Sequence, residues 1–465
     1  MCAVIGALVW NIGDIERLDR VNKILNHIFL LSRERGRDGS GFMSHTNLDE
    51  SPFWWRSIKR TEDGGIPKKL PIFPFVSSFD HHGVLIGNLR AEPTTEYVTS
   101  KQSQDQQPYY VKPWTIVHNG TIANDKDLRT YSHPTKIDSA AIAEHLASFK
   151  SDGSTFDHFY QAIKNIKGSF AILANKESEP NHILAAVNYR PLWWIKTEVG
   201  IFFASTRFYF PEGYVPEMIE PYSVVSFSWD RELKVVKKSL LEAPSKRKAL
   251  VVCSGGLDSS IAAVFTKQVL KYETELIHFC YGSRAEGPEV IAVKAVGEAL
   301  GIPTIIFPLP IYKPEDSPLL QSDSKLAGGE AGAEFAYEWV PARNLLLLSV
   351  ATAYAEAHGF DTIVLGNNLE EAGAYPDNEP EFIYRFNDLL PFAVGDGKQV
   401  RVIMPVGNLM KHEIVALGNK LGAPLDKTWS CYRAGELHCG TCGPCYMRRT
   451  AFEINGIPEV IKYLA

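Results

Sequence analysis

The sequence lacks any apolar run long enough to cross a membrane. Its most apolar stretch, Leu345–Ala351, gives way to Thr352 and Tyr354 within a turn. No basic segment precedes the short apolar start, so we expect no signal peptide and a cytoplasmic location. Basic residues are not in excess either, because 48 Lys and Arg face 54 Asp and Glu, a net charge of −6. This balance argues against a surface devoted to nucleic acid, although it leaves room for a local basic patch.

The composition is that of an ordinary globular protein, with 45% hydrophobic residues in 465. That length allows two or three domains, and the absence of long Gly- and Pro-rich tracts excludes collagen and extended disorder. A polar segment at 243–248 is the expected linker between domains 1–242 and 249–465. Many short β-rich runs and few helices predict an α+β fold of stacked sheets before it. Alternating strands and helices predict an α/β, parallel, doubly wound sheet after it.

The predicted strands can be placed from short apolar runs bounded by Gly, Pro and Asn. In the first domain they are Ala3–Trp10, Gly83–Ile86, Thr115–His118, Ser169–Ala174, Ile183–Asn188, Leu192–Lys196, Ile201–Ser205, Ser223–Trp229 and Leu233–Lys238. In the second domain they are Ala249–Cys253, Thr274–Cys280, Thr304–Phe307 and Thr362–Leu365.

Cys2 follows Met1 and opens an apolar strand. Its side chain is small, so we expect an aminopeptidase to remove Met1. The new α-amine would have a pKa of about 7.7–8.0 and could take the thiol proton near neutral pH. A Cys at such a position is more often a buried strand residue, so a catalytic interpretation depends on residues further along the chain.

Four short segments follow Cys2 in a characteristic order. They are Arg35–Gly41 (RGRDGSG), Gly87–Arg90 (GNLR), Val117–Asn124 (VHNGTIAN) and Ile137–Ser139 (IDS). This order resembles class II glutamine amidotransferases, the N-terminal nucleophile (Ntn) glutaminases of asparagine synthetase and its relatives. The resemblance extends to Tyr189–Leu192 and Ala204–Ser205, and departs at Arg37, where the family has Pro. His118 is interpreted as structural.

The resemblance implies an Ntn hydrolase fold and a role for each of five residues. Cys2 would attack the amide carbon of glutamine. The Asn119 side chain and the Gly120 N–H would form the oxyanion hole. Arg90 suits the α-carboxylate of glutamine as a bidentate donor, and Asp138 suits its α-ammonium group.

The first strand of the second domain runs into Ser254–Ser260 (SGGLDSS), and a helix follows. A Gly-rich turn at a helix N-terminus presents backbone N–H groups to an anion. No Gly-Lys-Ser/Thr follows, so this is not a Walker A loop. It resembles the SGGxDS signature of PP-loop ATP pyrophosphatases, which transfer AMP to a substrate oxygen. The resemblance implies that Ser254, Gly255, Gly256 and Ser259 hold pyrophosphate, and that Asp258 helps to place magnesium or the loop.

Four of the seven cysteines are crowded near the end of the chain: Cys431, Cys439, Cys442 and Cys445. Two residues separate each of the last three from the next, and seven lie between Cys431 and Cys439. Four thiolates at this spacing suit a tetrahedral zinc ion with no open coordination position, which predicts a structural site.

The tail around these cysteines resembles 7-cyano-7-deazaguanine synthases, the nitrile-forming enzymes of queuosine and 7-deazaguanine biosynthesis. The match includes Trp429–Tyr432 (WSCY), the CGxCxxC run, and Ala451-Phe452 after a basic residue. Asparagine synthetases share the domain order but lack the four-Cys tail. The resemblance implies an acceptor-binding site at matching positions upstream, namely Arg343, Asn344, Asn367, Tyr375, Asp377 and Lys411.

Three positions depart from that family where a substrate should bind. Ser283 stands in place of Gln, Ala285 in place of His, and Asn378 in place of Cys. The identity of the acceptor therefore stays open. Two long polar segments are predicted to be loops. We expect Lys313–Glu334 to be a lid that becomes ordered when nucleotide binds, and we expect Lys101–Pro108 to be exposed to solvent.

The two resemblances together imply a glutaminase that supplies ammonia to an ATP-dependent C–N ligase. We expect it to convert 7-carboxy-7-deazaguanine through an amide into 7-cyano-7-deazaguanine, using ATP, Mg and structural Zn, as a homo-oligomer. One alternative is archaeosine-type amidine formation from the nitrile, free or in tRNA or DNA. Another is an amidotransferase similar to asparagine synthetase. A scaffold without activity is disfavoured by the intact Cys2, Asn119-Gly120 and SGGLDSS.

Overall fold

A computed structural model describes residues 2–61, 73, 78, 80–91, 102–322, 325–326, 328–329, 338–372, 375–395 and 397–464. The chain divides into two compact units, Met1–Glu242 and Ala243–Ala465. In the part of the chain so described, no helix is both long enough and apolar enough to cross a bilayer. The candidate lid, Lys313–Glu334, lies partly outside the described residues.

The first unit is mostly β-structure. Its strands are β1 (Ala3–Val9), β2 (Gly39–Thr46), β3 (Phe53–Ser57), β4 (Gly83–Arg90), β5 (Tyr109–Val111), β6 (Trp114–Ile122), β7 (Gly168–Lys176), β8 (His182–Val187), β9 (Trp193–Lys196), β10 (Gly200–Ala204), β11 (Glu217–Met218), β12 (Ser223–Asp230) and β13 (Glu232–Ser239). Its helices are α1 (Ile15–Ser32), α2 (Asp125–Leu128), α3 (Ala140–Ser148) and α4 (Thr155–Ile163), with short 3-10 helices at Ser103–Asp105 and Arg207–Tyr209.

Two antiparallel sheets of the first unit pack face to face. Their strand orders are β11-β9-β10-β1-β4-β2-β3 and β13-β12-β8-β7-β6-β5. Side chains alternate across β1, so Val4 and Leu8 enter the core that contains Leu173 of the second sheet. Ile5 and Val9 point to the opposite face. One strand therefore contributes to two apolar layers.

Helices cover both outer faces of this pair of sheets. Val21 and Leu25 of α1 pack on the outer face of the first sheet. Ala141 of α3 and Phe159 of α4 pack on the outer face of the second. The helix α1 begins after Asp14, whose carboxylate accepts from two backbone N–H groups of the first turn. The α–β–β–α layering confirms the predicted Ntn hydrolase sandwich.

The second unit alternates strands and helices. Its strands are β14 (Lys248–Val252), β15 (Glu273–Cys280), β16 (Thr304–Pro308), β17 (Thr362–Val364) and β18 (Arg401–Ile403). Its helices are α5 (Leu257–Gln268), α6 (Glu286–Leu300), α7 (Arg343–His358), α8 (Leu369–Ala372), α9 (Pro380–Ala393), α10 (Lys411–Lys420) and α11 (Gly443–Ile454), with 3-10 helices at Pro314–Asp316, Pro376–Asn378 and Leu425–Lys427.

A parallel sheet of order β16-β15-β14-β17-β18 forms the centre of the second unit. Ala249 and Val251 of β14 pack with Ile261 of α5 on one face, and Leu250 packs with Leu348 of α7 on the other. The predicted doubly wound sheet is confirmed. The direction of winding reverses between β14 and β17, and such a reversal opens a crevice at the carboxyl ends of the strands. The SGGLDSS loop leaves β14 at that crevice.

The strand β2 was not predicted, because its sequence GSGFMSHT has few β-branched residues. All of its residues are nevertheless buried. Glycine is required inside this strand, since a Cβ on Gly41 would lie 2.0 Å from the carbonyl oxygen of Gln107. Close approach of another chain segment, which a single sequence does not reveal, explains the glycines.

The expectation that Lys101–Pro108 is solvated is wrong for its second half. Gln106 and Gln107 are only 2% and 4% exposed. The Gln107 side-chain amide donates to the carbonyl oxygen of His118 and accepts from its N–H, at 3.0 and 2.6 Å. An amide side chain can bond to both the N–H and the carbonyl group of one strand residue, so Gln107 joins the loop to β6.

Candidate active sites

A cavity of about 190 Å³ in the first unit is lined by all five residues predicted for glutamine chemistry: Cys2, Arg90, Asn119, Gly120 and Asp138. Gln107, His118, Ser139 and Arg190 also line it. None of these four has a predicted catalytic or binding role, although His118, Ser139 and Arg190 belong to segments that carry the resemblance. Strand ends from both sheets meet at this cavity, which brings together residues far apart in the chain.

The thiol of Cys2 lies at one side of this cavity and donates to the carbonyl oxygen of Ala91, at 3.7 Å. Burial raises the pKa of the Cys2 thiol, while this hydrogen bond and the positive charge of Arg90 act in the opposite direction. A thiol with a raised pKa is a weak nucleophile until a base takes its proton. A free α-amine on Cys2 itself would be such a base.

Asn119 and Gly120 present hydrogen-bond donors beside the thiol. Asn119 is 2% exposed, and its Nδ2 has no hydrogen-bond partner among the described residues. A donor that lines a cavity and lacks a partner can stabilise an oxygen that becomes negative. A Cβ on Gly120 would lie 1.8 Å from the carbonyl oxygen of Ser169, so only glycine fits there.

His118 and Asp138 are fixed by hydrogen bonds at the same end of the cavity. The Nε2 of His118 lies 3.1 Å from the carbonyl oxygen of Ser169, which can only accept, so Nε2 carries the proton. Its Nδ1 then accepts from the Ser139 hydroxyl at 2.8 Å. Burial lowers the pKa of His118, which keeps the ring neutral. The Asp138 carboxylate accepts from the N–H groups of Ile122 and Ser139, at 2.6 and 2.7 Å.

A second cavity, of about 220 Å³, lies in the second unit at the carboxyl ends of β14 and β17. Eight of the residues predicted for ATP and acceptor binding line it: Ser254, Gly256, Asp258, Ser259, Arg343, Asn344, Asn367 and Lys411. Residues without a predicted role line it too, notably Tyr281, Glu289, Trp429, Ser430, Tyr432 and Arg448. Trp429, Ser430 and Tyr432 come from the WSCY segment, so one segment supplies both a cysteine of the cluster and a cavity wall.

The SGGLDSS loop turns tightly at Gly255. The φ of Gly255 is +80°, and a Cβ there would lie 2.9 Å from the carbonyl oxygen of Glu289, so the turn requires glycine. The Gly256 N–H donates to Ser254 Oγ, and the Ser254 N–H donates to Ser259 Oγ, both at 3.3 Å. The Trp429 N–H donates to the Gly255 carbonyl oxygen at 2.8 Å, which joins the C-terminal tail to the loop.

Lys411 was predicted for the acceptor, but the structure places it against the ATP loop. Its Nζ forms an ion pair with the Asp258 carboxylate, and the two side chains are only 11% and 16% exposed. The Nδ2 of Asn367 lines the same cavity and has no hydrogen-bond partner among the described residues. This end of the cavity therefore combines a cation, a carboxylate and backbone donors.

Tyr375 and Asp377 line a separate pocket of about 20 Å³ next to the main cavity. Arg343, Asn378 and Tyr432 line both spaces. The Asn344 N–H donates to Asp377 at 3.1 Å, and its side-chain amide donates to Asn378 at 2.7 Å. Four of the six predicted acceptor residues therefore line the main cavity, and Tyr375 and Asp377 line the pocket next to it.

The four clustered cysteines bring their sulfur atoms within 4.8 Å of one another, and all four are buried. A tetrahedron with metal–sulfur bonds of about 2.3 Å has edges near 3.8 Å, so the cluster is close to that size. Backbone N–H groups of Arg433 and Cys439 donate to Cys431 Sγ at 3.3 and 3.4 Å. Such donors favour thiolates, so these residues fit a metal ion that binds four sulfurs.

Comparison with family models divides the chain in the same order. Residues 248–456 match the model described as "Queuosine biosynthesis protein QueC". Residues 95–211 match the model described as "Glutamine amidotransferase domain".

Curated relatives match both units together. A protein of Sulfolobus acidocaldarius named 7-cyano-7-deazaguanine synthase is 41% identical over 477 residues, with 100% of both chains covered. One of Saccharolobus solfataricus with the same name is 40% identical over 481 residues, covering 100% of this chain and 99% of the relative. One of Methanothrix thermoacetophila is 39% identical over 221 residues, 46% of this chain and 98% of the relative.

Solved structures are more distant. The structure of glutamine phosphoribosylpyrophosphate amidotransferase from B. subtilis with ADP and GMP is 14% identical, with a TM-score of 0.39 and 96% of both chains covered.

Proposed function

The chain belongs to the 7-cyano-7-deazaguanine synthase family, and from that premise we propose that it makes 7-cyano-7-deazaguanine with glutamine as nitrogen donor. The first unit hydrolyses glutamine to glutamate and ammonia. The second uses ATP to activate the oxygen of 7-carboxy-7-deazaguanine, first as the carboxylate and then as the amide. Each activated oxygen leaves with AMP.

The glutaminase cavity supports the first reaction. Cys2 attacks the glutamine amide carbon after its own α-amine has taken the thiol proton. The Asn119 side chain and the Gly120 N–H receive the negative charge that develops on the carbonyl oxygen. Arg90 binds the α-carboxylate of glutamine, and Asp138 binds its α-ammonium group.

The cavity of the second unit supports the adenylation. Ser254, Gly255, Gly256 and Ser259 hold the pyrophosphate end of ATP through loop donors and the N-terminus of α5. Asp258 belongs to the same loop and forms an ion pair with Lys411, and its carboxylate would help to hold a magnesium ion. The other predicted acceptor residues, Arg343, Asn344, Asn367, Tyr375 and Asp377, place the deazaguanine.

The observation that carries this proposal is that one chain holds both cavities: all five residues predicted for glutamine chemistry line the first, and eight of those predicted for ATP and acceptor line the second. The test is mass spectrometry of the purified protein with glutamine, ATP, magnesium and either 7-carboxy- or 7-cyano-7-deazaguanine. Nitrile formed from the carboxylate is the expected product. Amidine formed from the nitrile would replace the proposal with the archaeosine-type activity. Glutamate release without product from either base would indicate another acceptor.

The cysteine cluster is proposed to bind zinc as a structural ion. We expect about one zinc per chain, and the Cys442→Ser variant should lose it and melt roughly 10 °C lower. Zinc binding contributes a few kcal/mol to the free energy of unfolding. In a domain of this size, each kcal/mol lost lowers the Tm by about 2–4 °C. Elemental analysis and calorimetry measure both quantities. Cys280→Ser, outside the cluster, is the control and should keep its zinc, whereas zinc retained by Cys442→Ser would contradict the site.

Three further expectations from the sequence stay predictions: the magnesium requirement, the homo-oligomer, and the ordering of Lys313–Glu334 on nucleotide binding. ATP-dependent protection of that loop from protease would support its role as a lid.

A further inference from the structure

The chemistry of the second unit needs a base that the sequence motifs do not supply. Ammonia that attacks an activated carboxylate carries a surplus proton, and an amide that becomes a nitrile must lose both of its N–H protons. The charged and phenolic groups that line the cavity are Asp258, Glu289, Lys411, Arg343, Arg448, Tyr281 and Tyr432. Among the described lining residues, histidine is absent.

Most of these groups are unsuited to accept a proton near neutral pH. Asp258 forms the ion pair with Lys411 at the ATP loop. Arg343 and Arg448 are cations that stay protonated. Burial raises the pKa of Tyr281 above its usual value. Glu289 is the carboxylate that remains.

Glu289 is held between the ATP loop and the acceptor side of the cavity. Its carbonyl oxygen lies against Gly255, where a Cβ would come within 2.9 Å. Its carboxylate accepts from the Ser283 hydroxyl at 2.9 Å. Ser283 is one of the positions that depart from the family pattern. Glu289 lines the same cavity as Arg343 and Asn344, two of the predicted acceptor residues.

We propose that Glu289 is the general base of the second unit, taking a proton from the substrate nitrogen as the amide forms and again as the nitrile forms. The inference rests on the proposed function. It concerns a residue outside the SGGLDSS loop and outside the predicted acceptor set.

Amide formation and nitrile formation each release AMP and protons from the substrate nitrogen. Ammonia forms a C–N bond to the adenylated carboxylate, the nitrogen loses one proton to Glu289, and the C–O bond breaks as AMP leaves with the electron pair. In the second step the amide oxygen attacks the α-phosphorus of ATP and pyrophosphate leaves. The resulting cationic imidate loses one N–H proton to water and the other to Glu289, while the C–O bond to AMP breaks.

The surroundings of Glu289 suit a group that cycles between two protonation states. Burial raises the pKa of its carboxyl to about 7, the Ser283 hydrogen bond and Arg343 oppose that shift, and Glu286 adds to it. Cys280, the last residue of β15, and Tyr281, which follows it, are further titratable groups near this carboxylate. A base works best when its pKa lies near the operating pH.

The test uses the full-length protein, ATP, magnesium and 7-amido-7-deazaguanine, so that no ammonia is needed and the protonation of ammonia does not affect the pH profile. Glu289→Gln keeps an acceptor for Ser283 and should slow nitrile formation about 10²–10⁴-fold. Acceptor-dependent exchange of pyrophosphate into ATP should stay within about threefold, because adenylation precedes the proton transfer. Glu298→Gln, on the exposed side of the same helix, is the matched control and should keep the wild-type rate.

The pH profile separates a base from a merely structural group. The wild-type rate should fall tenfold per pH unit below about pH 7, since protonated Glu289 is inactive, and Glu289→Gln should lack this limb. Glu289→Asp should recover part of the rate. Nitrile formation by Glu289→Gln within tenfold of wild type would overturn the proposal, as would a rise in KM alone with the pH limb retained. A wild-type protein that makes no nitrile and shows no exchange would instead refute the proposed function.

Discussion

Cys2→Ala should abolish glutamine-dependent nitrile formation while leaving ammonia-dependent formation within about twofold of wild type. The variant lacks the sulfur that attacks the amide, so we expect glutamate release to fall by at least about 10³-fold. The second unit keeps all the residues that line its own cavity. The measurement is product formation by mass spectrometry with glutamine or with ammonium chloride at pH 8.5, and glutamate release assayed separately.

The control for this experiment is Ser148→Ala, which removes an exposed hydroxyl that lines neither the glutaminase cavity nor the cavity of the second unit. It should keep both activities. Glutamate release that persists in Cys2→Ala would mean that another group attacks glutamine. Loss of activity with ammonium as well would mean that Cys2 supports folding rather than catalysis.

Asp258→Asn should slow nitrile formation by roughly 10²–10³-fold, whether glutamine or ammonium supplies the nitrogen. Asp258 lies in the first turn of α5, lines the ATP cavity and is paired with Lys411. The substitution removes the carboxylate proposed to place magnesium, and it breaks a nearly buried ion pair by removing one of its two charges. Acceptor-dependent pyrophosphate exchange should fall with the product, whereas glutamate release measured without acceptor should stay within about twofold.

A double variant distinguishes the loss of chemistry from the loss of stability. Asp258→Asn combined with Lys411→Met removes both charges, so it should recover thermal stability without recovering activity. Asp426→Asn disrupts the half-exposed ion pair with Lys427 and is the matched control, which should change neither. Pyrophosphate exchange at the wild-type rate in Asp258→Asn would show that Asp258 is dispensable at the ATP site.

Short apolar runs bounded by Gly, Pro and Asn predict strands correctly where every residue of the run is buried. The run at Ala3–Trp10 predicts β1, and all residues of Ala3–Val9 are buried in the structure. The same signal does not predict β2, because Gly41 is needed there only to let the backbone of Gln107 pack against the strand. It also failed for Gln106 and Gln107, whose polarity suggested solvent although both are buried. The amide group of Gln107 bonds to the backbone of a buried strand.

The sequence by itself determined which chemistries the chain can hold. The SGGLDSS loop and the four-cysteine run are local patterns, since each needs only a few residues at short spacing, whereas Cys2 is interpreted from the order of the segments that follow it. Tertiary structure alone decided how distant groups meet, because packing sets those distances. It joined Lys411 to Asp258 across 153 positions, and it placed Glu289 in the ATP cavity. Folding two β-sheets together likewise created the glutaminase cavity from segments that no spacing rule connects.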